Sequence, residues 1–240
     1  MIGVPPGAVA VVPAAGSGVR LGGRRPKQFL RLGGIPLLVR TLRVLARVGE
    51  LNGIIVAAPP ADVLTTRRLL QRYGIRRLLA VVAGGKERQE SVWLALQALP
   101  AGPEWLVVHD AVRPFITPPL VRAVLAEAMR RGAATCGLPV SETLKQVRDG
   151  VVEATVEREG MWLVQTPQAF RRDLLWEAHE KARRDGFLGT DDAALVERLG
   201  VPVRMVPGLL ENLKITTRED LARARRVIEV QGKLSALLEQ

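Results

Sequence analysis

Cysteine is nearly missing from this chain. Cys136 stands alone, inside the apolar run Ala133 to Val140. A disulfide within the chain is excluded, and the usage points to a reducing, cytoplasmic setting. Its apolar surroundings make Cys136 a small core residue rather than a nucleophile. Histidine is almost as scarce, with only His109 and His179, too few for a histidine-rich metal site. Aromatic residues make up 4% of the chain, which speaks against a stacking platform for single-stranded nucleic acid. No apolar run approaches the ~20 residues of a membrane span. No basic segment followed by an apolar stretch and a cleavage site opens the sequence. No repeat, low-complexity tract or Ser/Gly-rich linker divides it, so the 240 residues read as one domain, 1–240.

Charge, by contrast, is plentiful and lopsided. Lys and Arg total 35 against 24 Asp and Glu, a formal net charge of +11. Most of the excess is Arg, with Lys confined to positions 27, 86, 145, 181, 214 and 233. A basic balance is one mark of nucleic-acid binding. Here the cations are scattered over helical segments, and neither a basic helix nor an aromatic sheet face emerges. They read as a solvated surface together with a site for a small anion.

The stretch from Val11 to Phe29 organises the rest. Ala8 to Val12 is a continuous apolar run, the pattern of a strand buried on both faces. Small residues and glycines follow: Pro13, Ala14, Ala15, Gly16, Gly18, Gly22 and Gly23. Converging backbone N–H groups in such loops form anion nests. Arg20, Arg24, Arg25 and Lys27 add full positive charge, so the loop suits a polyphosphate. A Walker A loop would need Gly-Lys-Ser/Thr at its end, and none is present. The dinucleotide fingerprint fails at its third glycine, where Leu21 stands, and no helical pattern begins before about Pro36. The remaining pattern, Gly16-Ser17-Gly18-Val19-Arg20 with Pro26-Lys27 after a spacer, resembles the signature of the sugar and alditol phosphate nucleotidylyltransferases.

Further on, strands and helices alternate, the mark of an α/β fold with a largely parallel sheet. Pro36 opens a helix with Leu38, Leu42 and Leu45 on one face. Ile54 to Ala58 is a strand, Asp62 to Tyr73 an amphipathic helix, and Leu78 to Val82 a strand running into Gly84-Gly85. A helix follows through Leu99, then the strand Trp105 to Val108, which delivers His109-Asp110-Ala111-Val112-Arg113. Thr117 caps a helix that begins Pro118-Pro119. Ala133 to Val140 is the next strand. Residues 142–158 differ: two polar, β-rich runs flank Arg148-Asp149-Gly150, a hairpin signal. Such a hairpin either folds on its own surface or projects as an arm; projecting, it offers edges for a symmetric dimer. Trp162 to Gln165 returns to the sheet before Thr166-Pro167. Helices around Arg172 to Arg184 and Asp191 to Leu199, with Asp192 serving a helix N-terminus, lead to a strand at Val203 to Val206. Thr217-Arg218-Glu219-Asp220 caps the last helix.

In an open α/β sheet, ligands sit beyond the carboxyl ends of the strands. That rule gathers Gly16 to Lys27, Gly84 to Ser91, Asp110 to Arg113, and the approaches to Thr166 and Lys214 at one edge. The segments that do so resemble, in order, those of the 2-C-methyl-D-erythritol 4-phosphate cytidylyltransferase family. They are the loop ending Pro26-Lys27-Gln28, Gly84-Gly85-Lys86-Glu87-Arg88-Gln89-Glu90-Ser91, His109-Asp110-Ala111-Val112-Arg113-Pro114 and Glu142-Thr143-Leu144-Lys145. Arg158-Glu159-Gly160-Met161-Trp162, Gln165-Thr166-Pro167-Gln168, Gly189-Thr190-Asp191-Asp192 and Asn212-Leu213-Lys214-Ile215-Thr216 continue the series. One match would be weak; the ordered set is specific.

The resemblance implies a Rossmann-like three-layer nucleotidyltransferase fold and transfer of a cytidylyl group from CTP to an alditol phosphate, with Mg2+. Pro13, Ala14, Ala15, Gly16, Gly18, Gly85 and Ser91 would line the nucleotide pocket. Arg20, Lys27, Arg158 and Lys214 would be the catalytic cations. Asp110, Arg113, Thr143, Arg158, Thr166, Thr190 and Lys214 would bind the acceptor. In the family the 142–158 arms of two subunits embrace, and part of the acceptor site crosses the dimer. Magnesium would be held mainly by phosphates, with Asp110 as a further ligand. Lys86 departs from the acidic residue common at its place, which bears on one ribose contact. The chemistry fits: a phosphate monoester is already ionised at neutral pH, so no general base is needed, and charge neutralisation and positioning do the work. A pentitol phosphate cytidylyltransferase making CDP-ribitol is the nearest alternative; a nucleic-acid-binding module and a dinucleotide oxidoreductase are the others.

Overall fold

The structure is a computed structural model and describes residues 7–16 and 26–238. Its centre is a seven-stranded sheet. In chain order the strands of that sheet are β1 (Ala8–Pro13), β4 (Leu51–Ala58), β5 (Leu78–Ala83), β6 (Trp105–Val108), β7 (Ala133–Pro139), β10 (Trp162–Arg171) and β11 (Arg204–Pro207). Their spatial order is β11-β7-β10-β6-β1-β4-β5. The pairs β1–β4, β1–β6, β4–β5 and β11–β7 are parallel. Only β10 runs the other way, against both β6 and β7. The short strands β2 (Arg31–Leu32) and β3 (Ile35–Pro36) form a separate two-residue ladder, and β8 (Leu144–Arg148) pairs only with β9 (Val151–Val156).

Successive residues of β1 point to opposite faces, and so enter two cores. Ala8, Ala10 and Val12 face α1 (Leu37–Leu45), α2 (Val63–Arg72) and α4 (Pro118–Arg131). Val9 and Val11 face α3 (Arg88–Gln97), α5 (Arg172–Arg184) and α6 (Asp192–Glu197). The result is three layers, helix on sheet on helix, with both sheet faces covered; this is why the central strands read as continuous apolar runs. A third, smaller cluster of Leu32, Leu37, Val112, Ile215 and Ala224 seats α7 (Arg218–Leu238).

Several boundaries follow from local chemistry. Thr117 caps α4, its Oγ1 accepting the Leu120 N–H. Asp220 Oδ2 accepts the N–H groups of Thr216 and Thr217, each at 2.9 Å, while Thr217 Oγ1 accepts the Asp220 N–H at 3.1 Å. This is the reciprocal cap expected at the start of α7. The β8–β9 turn puts Asp149 at φ 49° and Gly150 at φ 80°, as a two-residue hairpin turn requires. The hairpin is exposed along nearly its whole length, with Val147, Val151 and Val152 open to solvent.

Two details refine the sequence reading. Pro36 lies just before α1 and ends β3, because its missing N–H is tolerated at either place. Asp192 stands in the first turn of its helix as expected, but it is not the cap. Asp191 is, accepting the Ala194 N–H at 2.9 Å, while the Asp192 carboxylate turns inward. No helix among the described residues is long and apolar enough to cross a membrane.

The ends of β1 and β5 approach closely at Gly84, where an added Cβ would stand 2.4 Å from Ala15 Cβ and 2.9 Å from Ser91 Oγ. Gly84→Ala is expected to lower unfolding stability by about 1–3 kcal/mol through overpacking, measured by urea denaturation. Gly150→Ala meets no such contact and tests backbone conformation alone.

Candidate active site

The carboxyl ends of β1, β5 and β6 meet at one edge of the sheet, and a cleft opens there. Pro13, Ala14, Ala15 and Gly16 form one side, Gly85 and Ser91 the opposite side, with Lys27 and Lys214 at its margins. The 3-10 turn Lys27–Phe29 is tied to the end of β1 by Gln28, whose Nε2 donates to Ala14 O at 2.5 Å. Ser91, in the first turns of α3, accepts the Gly85 N–H at 3.1 Å and donates to Glu87 O at 3.1 Å. Glu90 accepts the Lys86 N–H at 2.8 Å, which closes the same loop from outside. Gly18 and Arg20, expected in this pocket, lie outside the described residues.

A second cavity adjoins the first. Asp110, Arg113, Thr166, Thr190 and Lys214 line it, with Gln165, Gln168 and Asp191. Three residues, Arg88, Asp110 and Lys214, line both spaces and so form a shared wall. Asp110 stands two residues past the end of β6 and is 5% exposed. Arg88 Nε donates to its Oδ1 at 3.0 Å; Lys214 Nζ lies 3.0 Å and Arg113 Nε 3.4 Å from its Oδ2. Arg88 also reaches Asp192 Oδ2 at 2.6 Å, and Asp192 Oδ1 accepts from His179 Nε2 at 2.9 Å. Arg113 Nη1 donates to Asn212 O at 2.7 Å, joining the turn after β6 to the loop that carries Lys214.

Burial opposes ionisation of Asp110, but Arg88, Lys214 and Arg113 outweigh it and hold the carboxyl well below the usual carboxylate range. Burial opposes ionisation of Asp192 too, and Arg88 with His179 brings its pKa below the ordinary value. The same two carboxylates keep Arg88 protonated against its own burial. His109 is fully buried, which pushes its pKa down to about 4; Asp110 and the Arg113 carbonyl pull upward, Arg113 and Arg88 downward. Burial pushes the Cys136 thiol up to about 12, as suits a core residue and not a nucleophile.

Thr166 reaches this edge by an indirect route. Because β10 is antiparallel, its middle, not its end, passes the tips of the parallel strands. Trp162 to Gln165 pair with β7 beyond the point where β6 stops, and the register breaks between Gln165 and Ala169, around a cis Thr166–Pro167 peptide. The flanking glutamines anchor the neighbouring loops. Gln168 Oε1 accepts the N–H groups of Asp192 and Ala193, and its Nε2 donates to Asp191 Oδ2 at 2.6 Å. Gln165 Nε2 donates to Leu209 O at 2.9 Å, and its Oε1 accepts from Asn212 Nδ2 at 3.2 Å.

Two expected acceptor residues sit elsewhere in the single chain. Thr143 and Arg158 are exposed at the root of the β8–β9 hairpin, where Arg158 Nη1 donates to Ser141 O, and neither lines either cavity. Other residues the structure brings in have no role assigned from sequence: Arg88, Gln28, Gln165, Gln168 and Asn212. Arg88 lies within a segment the sequence singles out. Its place as first residue of α3, after a strand-end glycine pair, is the signal that points to it.

A family model described as IspD: 2-C-methyl-D-erythritol 4-phosphate cytidylyltransferase matches residues 8–230. Among curated relatives, the 2-C-methyl-D-erythritol 4-phosphate cytidylyltransferase of Syntrophus aciditrophicus is 42% identical over 226 residues, covering 93% of this chain and 97% of the relative. That of Symbiobacterium thermophilum is 47% identical over 224 residues, covering 93% of each. Among solved structures, the 4-diphosphocytidyl-2C-methyl-D-erythritol synthase of Anaerococcus prevotii superposes with a TM-score of 0.82 at 30% identity, covering 93% of this chain and 96% of the other. The 2-C-methyl-D-erythritol 4-phosphate cytidylyltransferase of Thermus thermophilus gives 0.77 at 37% identity, with 91% and 98% covered.

The buried imidazole makes stability depend on pH with a definite sign. Between about 6.5 and about 4 the unfolded chain takes a proton at His109 and the folded chain does not, so stability is lost as pH falls through that window. The difference corresponds to about 3 kcal/mol, in force above 6.5 and levelling off below 4. Denaturant unfolding measured from neutral pH down to pH ~4 is expected to show this slope, and His109→Asn to remove it.

Proposed function

The chain belongs to the 2-C-methyl-D-erythritol 4-phosphate cytidylyltransferase family, and from that premise we propose how its residues carry out the transfer from CTP to 2-C-methyl-D-erythritol 4-phosphate. The observation that carries the proposal is the shared wall of Arg88, Asp110 and Lys214 between two adjoining cavities. One cavity, floored by small residues and backbone, suits a nucleotide. The other, lined by hydroxyl, amide and carboxylate groups beside Arg113 and Lys214, suits a hydroxylated phosphate ester.

The acceptor's phosphate oxygen attacks the α-phosphorus of CTP. A new P–O bond forms, the bond to the bridging oxygen breaks in line, and pyrophosphate carries off the electron pair. No proton has to be removed from the attacking group. What opposes reaction is repulsion between two polyanions, and fixed cations are the remedy. Lys27 stands on the nucleotide side and Lys214 at the wall; Arg20 is assigned beside Lys27 from the family resemblance alone. Loss of one such cation costs about 3 kcal/mol or more of barrier. A divalent cation would be held mainly by phosphate oxygens; Asp110, the carboxylate at the shared wall, would have to give up ion pairs with Arg88, Arg113 or Lys214 to join them. Bound there, Mg2+ would neutralise phosphate charge.

Arg158 and Thr143 complete the acceptor site from a second subunit. The β8–β9 arm has no core of its own, exposes Val147, Val151 and Val152, and carries both residues at its root. A two-fold dimer joined through residues 142–158 covers those valines and brings Arg158, a bidentate phosphate ligand, to the partner's cavity. The reaction is assigned to the cytoplasm, where the unpaired Cys136 stays reduced.

Pyrophosphate release from CTP is expected with 2-C-methyl-D-erythritol 4-phosphate and not with ribitol 5-phosphate; the reverse selectivity would overturn the assignment. Subunit mixing tests the shared site. Lys27→Ala and Arg158→Ala homodimers are each expected to be nearly inactive. Mixed and re-equilibrated, they should recover about a quarter of wild-type activity, since half the dimers then hold one intact site. No recovery would place Arg158 in its own subunit's site.

A further inference from the structure

His109 is 0% exposed and lines neither cavity, so it touches no substrate. Its two ring nitrogens nevertheless hold both ends of the turn that bears Asp110 and Arg113. Nε2 lies 3.2 Å from Arg113 O, and Nδ1 lies 3.0 Å from Thr166 Oγ1. Thr166 Oγ1 in turn accepts the Asp110 N–H at 3.0 Å, and the Arg113 N–H donates to Asp110 O at 3.1 Å.

For a neutral ring, the partners fix the protons in this chain. A carbonyl oxygen only accepts, so Nε2 carries a hydrogen. In a neutral ring Nδ1 then has a free lone pair, and it takes the Thr166 hydroxyl proton. The hydroxyl oxygen is left to accept the Asp110 N–H. The opposite tautomer sets Nε2 against a carbonyl with no proton between them. An imidazolium sets a donor against the Thr166 hydroxyl, which would have to turn its own proton towards another partner.

We propose that His109 is a positioning residue for the transfer reaction: as the Nε2–H tautomer it orients the Thr166 hydroxyl and pins the Asp110–Arg113 turn from behind. The Asp110 end is held through Thr166 and the Arg113 end directly. The two side chains that face the acceptor cavity therefore start from a backbone tied at both ends. A specificity consequence follows. The Thr166 hydroxyl has spent its only proton on His109, so towards the cavity it offers an oxygen that accepts and does not donate. The group it meets on the acceptor is a hydroxyl, and a carbonyl or ether oxygen there is rejected. The inference rests on the acceptor-site reading above.

Two measurements on the full-length enzyme test it. In 15N-histidine-labelled protein, long-range 1H–15N spectra at neutral pH are expected to show the His109 ring protonated at Nε2 only, the signal being assigned by its loss in His109→Asn. Thr166→Val should move the Nδ1 resonance towards that of an unbonded nitrogen. Both Thr166→Val and His109→Phe should speed exchange of the Asp110 amide by roughly tenfold or more, as expected for loss of one hydrogen bond. An Nδ1–H ring, or an Asp110 amide unmoved by Thr166→Val, overturns the proposal. In steady-state kinetics, His109→Phe should raise the KM for the acceptor roughly tenfold while that for CTP stays within about twofold. His109→Asn, whose Oδ1 can take the place of Nδ1, should recover much of that loss. Equal losses in His109→Phe and His109→Asn, with no recovery by Oδ1, mean a structural role alone. If His109→Phe does not fold, the spectra and His109→Asn decide. An enzyme silent towards every alditol phosphate would refute the functional reading while leaving the tautomer and amide results to judge this one.

Discussion

Three cations from three parts of the chain converge on one buried carboxylate. Arg88 begins α3, Arg113 closes the turn after β6, and Lys214 comes from the loop between β11 and α7. Asp110 receives all of them at the tip of a central strand. Burying a carboxylate alone is prohibitive, and burying it with one cation is often no better than an apolar substitute. The arrangement is therefore weak as a device for stability. Its value lies in geometry. Each cation is held by a group that cannot move, because Asp110 is anchored through β6 and the turn behind it. Fixed positive charge next to where phosphate charge must collect needs little reorganisation when substrate arrives. The second carboxylate, Asp192, extends this to the far side of the site and ties α6 to α3 through Arg88.

The single antiparallel strand is what turns a general nucleotide edge into a site with two chambers. In a fully parallel sheet only strand ends reach the ligand edge. Here β10 crosses that edge at its middle, and four consecutive residues, Gln165 to Gln168, can act there together. Gln165 holds the Leu209–Asn212 loop and thereby the approach to Lys214. Gln168 holds the start of α6 and thereby Thr190 and Asp191. Thr166, between them, meets Asp110. The acceptor side is thus built on one strand by hydrogen bonds to backbone, which lets the loops on either side be irregular without being loose.

Most of the layers are legible in the residues. Apolar runs such as Val9 to Val12 and Leu106 to Val108 state that both sheet faces are covered, and Asp149-Gly150 states a hairpin. The strand-end rule brings Pro13 to Gly16, Gly85, Ser91 and Asp110 to one edge, and they do line one cleft. Roles that depend on side-chain direction are not legible. Asp191 and Asp192 are adjacent acids at a helix start, and nothing in the pattern says which caps and which turns inward; the partner that decides is Arg88, far away in sequence. Gln165 and Gln168 look like ordinary polar strand residues because most of their partners, backbone and side chain alike, lie in loops distant in sequence. Thr166 is placed by family resemblance, since a threonine before proline otherwise suggests only a turn.

The arm raises a separate physical question. A two-stranded hairpin by itself is marginal in water, and β8–β9 adds exposed valines rather than a buried face. Its ladder hydrogen bonds and a few polar pairs, such as Arg148 with Glu153 at 3.0 Å, do not offset the ordering of about fifteen residues. The missing stabilisation has to come from burial against something else, and a second copy of the arm presents the same apolar side chains in a self-complementary arrangement. In the proposed dimer that burial would be tied to Thr143 and Arg158, so assembly and acceptor binding would be coupled. The nucleotide cleft in that dimer is built by residues at the ends of β1 and β5 and in α3, away from the arm. On the proposed assembly, Arg158 would be the one phosphate ligand of the acceptor that a monomer lacks. If the arms pair as proposed, most of the acceptor chamber still belongs to one chain, and the dimer adds Thr143 and Arg158 to it.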